Sequence, residues 1–273
     1  MTSSSLPNRP RTVLICHGED ALMRLGLARW LNSFSDLVGV VELRETRRRK
    51  LRRVRREVKR VGLLRFLDVL AMRLYYRLYF ASDDQAWERT RLMALQERYP
   101  CDLGNVPVLV TPSPNTKEVE QFLGRVRPDL SFAICKTILR SSVYSIATTG
   151  TWVFHPGVCP EYRNAHGCFW ALAQRDLDRV GMTLLRIDDG VDTGPVYGYF
   201  SYPFDETTES HVRIQRRVVF DNLEAIRDKL VEVLEGTAEV VDTTGRKSAT
   251  WGQPWLSRFL RWKRAAQEGA ISP

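Results

Sequence analysis

Two of the chain's four histidines, His155 and His166, fall in one stretch of turn-forming residues, TWVFHPGVCPEYRNAHG (151–167). An imidazole titrates near neutrality, so a histidine at the end of an apolar run can donate to a developing oxyanion or shuttle a proton. A loop carboxylate is its natural companion, and the Gly-rich DDGVDTGPV (188–196) supplies Asp192. This pair is the smallest set that can handle an amine and a carbonyl. The carboxylate orients the imidazole and accepts, through water, the proton lost by an attacking amine. Pattern alone leaves open that His155 is a core residue and Asp192 a turn former. With Cys159 and Cys168 the same stretch also reads H-x3-C-x6-H-x-C, a donor set that suits zinc. No Cys-x-x-Cys pair accompanies it, and no metal is expected.

These residues need a scaffold that brings 155 and 192 together. RTVLIC (11–16), LVGVVEL (37–43), VPVLVT (106–111), DLSFAIC (129–135), TWVFH (151–155) and GMTLLRID (181–188) are apolar runs of strand length. Helical spacing of Leu22, Leu25, Leu27 and Trp30 separates the first two, and helices are expected over 116–128, 141–147, 167–176 and 208–235. Strand, helix, strand at these intervals predicts an α/β fold with a mostly parallel sheet. His155 then stands at the carboxyl end of a strand, where ligands bind in open α/β sheets, and Asp192 lies on a second loop that can reach the same crevice. The turn at His17-Gly18 lacks the G-x-G-x-x-G spacing of dinucleotide sites.

The net charge of +9 is concentrated: eleven of the Arg and Lys residues, against three Glu, fall between Glu42 and Arg60. Residues 44–98 read as a helical insertion, with Gly62 as a break and Ser82-Asp83-Asp84 as the cap of a helix starting near Gln85. The basic part at 44–60 suits an anionic partner: a phosphate, a membrane surface or a nucleic acid. The segment 63–80 is amphipathic but too polar for a simple membrane span, and a packed helix is the expectation there. Residues 1–10 read as a disordered lead-in, and 241–273 as a short tail with an aromatic, basic helix. Five scattered cysteines and no secretory pattern suit a cytoplasmic protein with reduced thiols.

HPGVCPEYRNAHGCFWAL (155–172) followed by GMTLLRIDDGVDTGPV (181–196) resembles the active-site region of the folate-dependent formyltransferases. That family includes enzymes acting on glycinamide ribonucleotide, methionyl-tRNA and sugar amines. Its pattern is Asn-x-His-x-x-x-x-Pro-x-Tyr-x-Gly, then an Asp-x-Gly loop; His155, Pro160, Tyr162 and Asp192-Thr193-Gly194 match it. The similarity covers roughly residues 106–240. It implies a Rossmann-like formyltransferase domain over 11–240 and transfer of a formyl group from 10-formyltetrahydrofolate to a primary amine. His155 would hold the oxyanion and Asp192 would set the proton relay. The folate would be framed by Ile134, Lys136, Thr137, Ile138 and Leu139 on one side and by Asp188 and Gly190 on the other. His166 and Tyr162 would lie on the acceptor side.

Two positions depart from the pattern. The family's Asn is Val153 here, and its Gly is Asn164. Loss of one oxyanion donor typically costs about 10²–10³ in rate. The Asn164 amide could replace that donor, or Asn164 could simply take the glycine's left-handed turn. A small, phosphorylated or sugar-linked amine is the expected acceptor. The alternatives are a catalytically degenerate binding protein and a methionyl-tRNA formyltransferase-like enzyme without the carboxyl-terminal barrel domain, for which too few residues follow 240.

Overall fold

The computed structural model describes residues 9–271. In chain order the strands are β1 (Arg11–His17), β2 (Asp36–Leu43), β3 (Val108–Thr111), β4 (Leu130–Ile134), β5 (Gly150–His155), β6 (Arg163–Asn164), β7 (Met182–Arg186), β8 (Val196–Phe200) and β9 (Thr250–Trp251). All but β6 and β9 form one seven-stranded sheet in the order β3-β2-β1-β4-β5-β7-β8. The pairings from β3 to β5 are parallel, whereas β7 and β8 pair antiparallel at the edge. The strand order reverses beside β1, between β2 and β4, which opens a crevice at their carboxyl ends.

The helices are α1 (Leu27–Phe34), α2 (Arg47–Val61), α3 (Leu63–Tyr79), α4 (Ala81–Arg98), α5 (Lys117–Val126), α6 (Ser141–Tyr144), α7 (Gly167–Ala173), α8 (His211–Phe220), α9 (Leu223–Glu235) and α10 (Leu256–Ile271). Alternation along β1 shows why they lie on both faces of the sheet. Leu14 and Cys16 join a core with α1, α7, α8 and α9, while Val13 and Ile15 join a second core with α5.

The structure departs from sequence expectation in four places. The expected helix over 208–235 is two, α8 and α9, broken where the Asn222 amide donates to Ser201 O at 3.1 Å and Val218 O at 3.0 Å. The 82–84 cap does not form. α4 starts at Ala81, and Asp84 is buried, accepting from Tyr76 Oη at 3.0 Å and Arg213 Nε at 3.0 Å. The expected tail helix forms as α10 but is packed into the domain: Phe259 and Trp262 are each 1% exposed, and Lys263 Nζ donates to Glu206 O at 2.6 Å and Glu209 O at 2.7 Å. Of the expected lead-in, residues 1–8 lie outside the described residues, but Pro10 is buried and Arg9 pairs with Asp36 at 3.0 Å.

Candidate active site at the strand ends

His155 is the last residue of β5, and its ring is buried. Nε2 lies 2.7 Å from Tyr162 O. A carbonyl can only accept, so Nε2 carries the hydrogen, and Nδ1 is left to face Asp192 Oδ2 at 3.4 Å. The close approach of that carbonyl depends on Gly157. A Cβ there would sit 2.5 Å from Tyr162 O and 2.9 Å from His155 Nε2. Thr183, opposite His155 in the antiparallel β5–β7 ladder, clamps the same loop. Its hydroxyl donates to Gly157 O at 2.6 Å and accepts from Cys159 N at 3.0 Å.

Asp192 is held just as firmly. It takes a left-handed backbone, φ 51°, and Oδ2 also accepts the Asn164 N–H at 2.7 Å. Its loop is braced from within, because Asp188 Oδ1 accepts from Gly190 N at 3.0 Å and Thr193 Oγ1 at 2.8 Å. Gly194 closes the loop: a Cβ would meet Arg186 O at 1.8 Å. Two groups 37 residues apart in the chain thus meet at one strand end.

Beside Asp192 lies a cavity of about 150 Å³. Lys136, Thr137, Ile138 and Leu139 form one wall, Asp188 and Gly190 the other, and Val153 and Asn164 line it too. Asn115 sets the shape of the first wall, donating to Ile138 O at 2.8 Å and accepting from Arg140 N at 2.8 Å. Ile134 is not among the lining residues. It sits on β4 and packs against the main core.

A larger cavity of about 520 Å³ opens at the point where the strand order reverses. Lys136 lines both cavities and is the link between them. His17, Asp20, Glu45, Glu88 and Arg216 converge there. The Lys136 N–H donates to His17 Nε2 at 3.3 Å. Burial, then the Lys136 cation, pushes the His17 imidazole below its ordinary range, and burial, then Arg53, does the same to the Lys136 ammonium. Arg216 reaches Asp20 at 2.5 Å and Glu88 at 3.3 Å, while burial raises the Glu88 carboxyl. Sequence reasoning missed this group. His17 had a signal, since it ends an apolar strand before Gly18 as His155 ends one before Pro156-Gly157. Asp20 and Glu45 sit on the loops after β1 and β2, Glu88 and Arg216 come from α4 and α8, and none of the four carried a signal.

Three expected site residues have other work in this structure. The Asn164 side-chain amide donates to Trp251 O rather than pointing at a reacting carbonyl, and its φ of 78° is the left-handed conformation that glycine would otherwise take. Tyr162 is buried, stacks on Trp251, and donates its hydroxyl to Asp176 Oδ2 at 2.9 Å, so it faces no acceptor. His166 precedes α7 in a left-handed backbone, φ 55°, with no side-chain capping bond, and its ring centroid lies 6.4 Å from that of His211. Burial, with the Lys136 and Arg73 cations, pushes His166 down to about 4, and it is neutral at pH 7. The zinc-like spacing does not converge. Cys168 Sγ donates to Gly181 O at 3.2 Å, and among the described residues no group of three or more His, Cys, Asp or Glu is placed to hold a metal.

The mostly parallel sheet with helices on both faces is a Rossmann-like domain with the fold of the formyltransferases. No family profile matches the chain. It is 26% identical over 168 residues to the methionyl-tRNA formyltransferase of Sorangium cellulosum, covering 60% of this chain and 52% of that protein. It is 29% identical over 175 residues to that of Desulfotalea psychrophila, covering 60% and 50%. The chain thus spans about half the length of the curated relatives it matches. Among solved structures, the phosphoribosylglycinamide formyltransferase from Anaplasma phagocytophilum superimposes with a TM-score of 0.55 at 12% identity, over 90% of this chain and 100% of that one. Glycinamide ribonucleotide transformylase 1 from Symbiobacterium toebii gives 0.52 at 12% identity, over 88% and 100%. At such identity the likeness is one of fold. The chain resembles the folate-dependent formyltransferases in sequence and shares their fold.

Proposed function

We propose that this chain transfers the formyl group of 10-formyltetrahydrofolate to the primary amine of a small acceptor, in the cytoplasm, where its five unpaired thiols stay reduced. The contact of His155 Nδ1 with Asp192 Oδ2 at 3.4 Å, beside the smaller cavity, carries the reading. That cavity suits the donor's flat ring. Ile138, Leu139, Val153 and Leu185 give apolar walls, and the two loops give polar backbone edges. The larger cavity across Lys136 suits the acceptor. Its lining mixes cations, Arg89, Lys136 and Arg216, with carboxylates, Glu19, Asp20, Glu45 and Glu88, a set that suits an amine carried on a phosphorylated or nucleotide-linked sugar.

In this scheme the acceptor nitrogen bonds to the formyl carbon, and the carbon's bond to the folate nitrogen then breaks. Because Nε2–H stays on Tyr162 O, Nδ1 can donate to the oxygen that becomes negative between the two events only when the imidazole carries a second proton there. Asp192 holds the imidazole and relays, through water, the proton leaving the amine toward the departing nitrogen. A second reading, a binder without turnover, draws on one observation: Val153 stands where the family has its amide, and Asn164 does not replace it. Incubating the protein with 10-formyltetrahydrofolate and pooled sugar, nucleotide and amino-acid amines separates the two. Amine-dependent release of tetrahydrofolate, lost in His155→Ala, supports transfer. Donor binding without release under every amine supports the binder.

A further inference from the structure

The helical insertion leaves an apolar face uncovered. On α3, Leu63, Leu67, Leu70, Leu74 and Leu78 recur every three or four residues and share one face, opposite the buried Phe66, Val69 and Met72. Leu64 beside them is 83% exposed, and Leu78 is 67% exposed. The row runs for roughly 22 Å at 1.5 Å per residue. A contiguous apolar strip of this kind on a folded chain marks an interaction surface.

The adjoining helix decides the partner. α2 meets α3 through Gly62, whose φ of 80° turns the chain between them. Arg47, Arg48, Arg52, Arg55, Arg56 and Lys59 on α2 make no ion pair among the described residues, and all are exposed. A second copy of this chain would bring its own basic rod against this one. An anionic lipid surface instead offers hydrocarbon for the leucines and headgroup phosphates for the guanidinium groups. Tyr79, 65% exposed at the end of the row, suits the boundary between the two. No helix among the described residues is long and apolar enough to cross a membrane, so the contact is a surface one.

We infer that α2 and α3 together dock this protein onto an anionic phospholipid surface. The docking face lies near the candidate active site, because α2 leaves the carboxyl end of β2, and Arg53 pairs with Glu45, which lines the larger cavity. The inference does not depend on formyl transfer and is read without it.

The test is co-sedimentation of the full chain with phosphatidylcholine vesicles, with and without phosphatidylglycerol. The bound fraction should rise about tenfold with the anionic lipid and fall with added salt. Leu67→Gln with Leu74→Gln, and separately Arg52→Ala with Arg55→Ala and Arg56→Ala, should each lower binding at least about fivefold. Thermal melting serves as the folding control for both. Equal, weak sedimentation with both vesicle types overturns the inference. So does a dimer by light scattering that the leucine substitutions dissolve without any vesicle binding, which would assign the face to a second copy. Tight, leucine-independent binding to duplex RNA with no vesicle binding overturns it in favour of a nucleic acid.

Discussion

The strand-end corner and the helical insertion treat their polar groups in opposite ways. Around His155 almost every donor and acceptor is committed internally: Nε2 to Tyr162, Thr183 to Gly157 and Cys159, Asp192 to Asn164, and Asp188 to its own loop. On α2, Arg47, Arg48, Arg52, Arg55, Arg56 and Lys59 face outward without an ion pair among the described residues, and on α3 the leucine row is exposed. The first arrangement fixes atoms relative to one another, as chemistry on a bound substrate needs. The second gains nothing from the folded chain itself and gains only when something external covers it. The insertion is nonetheless not loosely attached. Its α4 carries buried Asp84, which joins Tyr76 of α3 to Arg213 of α8 and to Ser210, which caps that helix.

If the corner is built for position and charge, Asp192→Asn should be the most damaging change. Asparagine tolerates the left-handed backbone and can still accept from Asn164, so the fold survives while the charge facing Nδ1 is lost. A carboxylate-to-amide change beside a working imidazole costs up to about 10⁴ in kcat. A melting curve like that of the parent, with turnover of tetrahydrofolate release down at least about a thousandfold, is the expected outcome. Unchanged turnover would remove Asp192 from the chemistry.

Asp84→Ala probes the inner half of the insertion. It strands the Arg213 guanidinium and the Tyr76 hydroxyl, and urea unfolding should register about 3 kcal/mol, the low end for a broken buried pair because Arg213 is 23% exposed. A loss under about 1 kcal/mol would mean that α4 is held by its apolar contacts alone.

Acid should unfold the helical side through its buried imidazoles. Burial, then His166 and Lys263, pushes His211 down to about 3. Below pH 6.5 the unfolded chain takes up a proton that the folded chain refuses, so stability is intact above that pH and falls as pH drops toward 3. His211→Phe keeps a ring against Phe169 and Phe259 and should remove up to about 1.4 kcal/mol per pH unit from that slope. A Tm-against-pH curve with the same slope as the parent would assign the acid sensitivity elsewhere.

The smallest effect belongs to the outer face. Leu67→Gln with Leu74→Gln should leave stability within about 0.5 kcal/mol, because exposed positions contribute little to the fold. A larger loss by urea unfolding would mean that the row is covered within the folded chain, and would erase the contrast between the two regions.

Much of this was legible in the residues. The apolar runs located the strands to within about two residues because a strand buried on both faces must be continuously apolar. His155 stood at a strand end by its place after VF and before Pro-Gly, and Asp192 on its loop by the flanking glycines. The antiparallel edge was not legible, since β7 and β8 look the same in composition whichever way they run. Nor were Asn164 and Tyr162, whose side chains could equally face a substrate. Trp251 and Asp176 occupy them, and neither contact has a local pattern.

The amino-acid sequence by itself determined the elements, the βα order and the residue types able to carry an acyl transfer, because periodicity and turn chemistry act over a few neighbours. Only the tertiary structure decided that His155 Nδ1 meets Asp192, that Lys136 lines two cavities, and that the leucines of α3 face outward while Phe259 and Trp262 of α10 help close the core. Those outcomes depend on which helix covers which face of the sheet. That choice is made by packing between segments more than a hundred residues apart, such as α3 against α10, and no local preference encodes it.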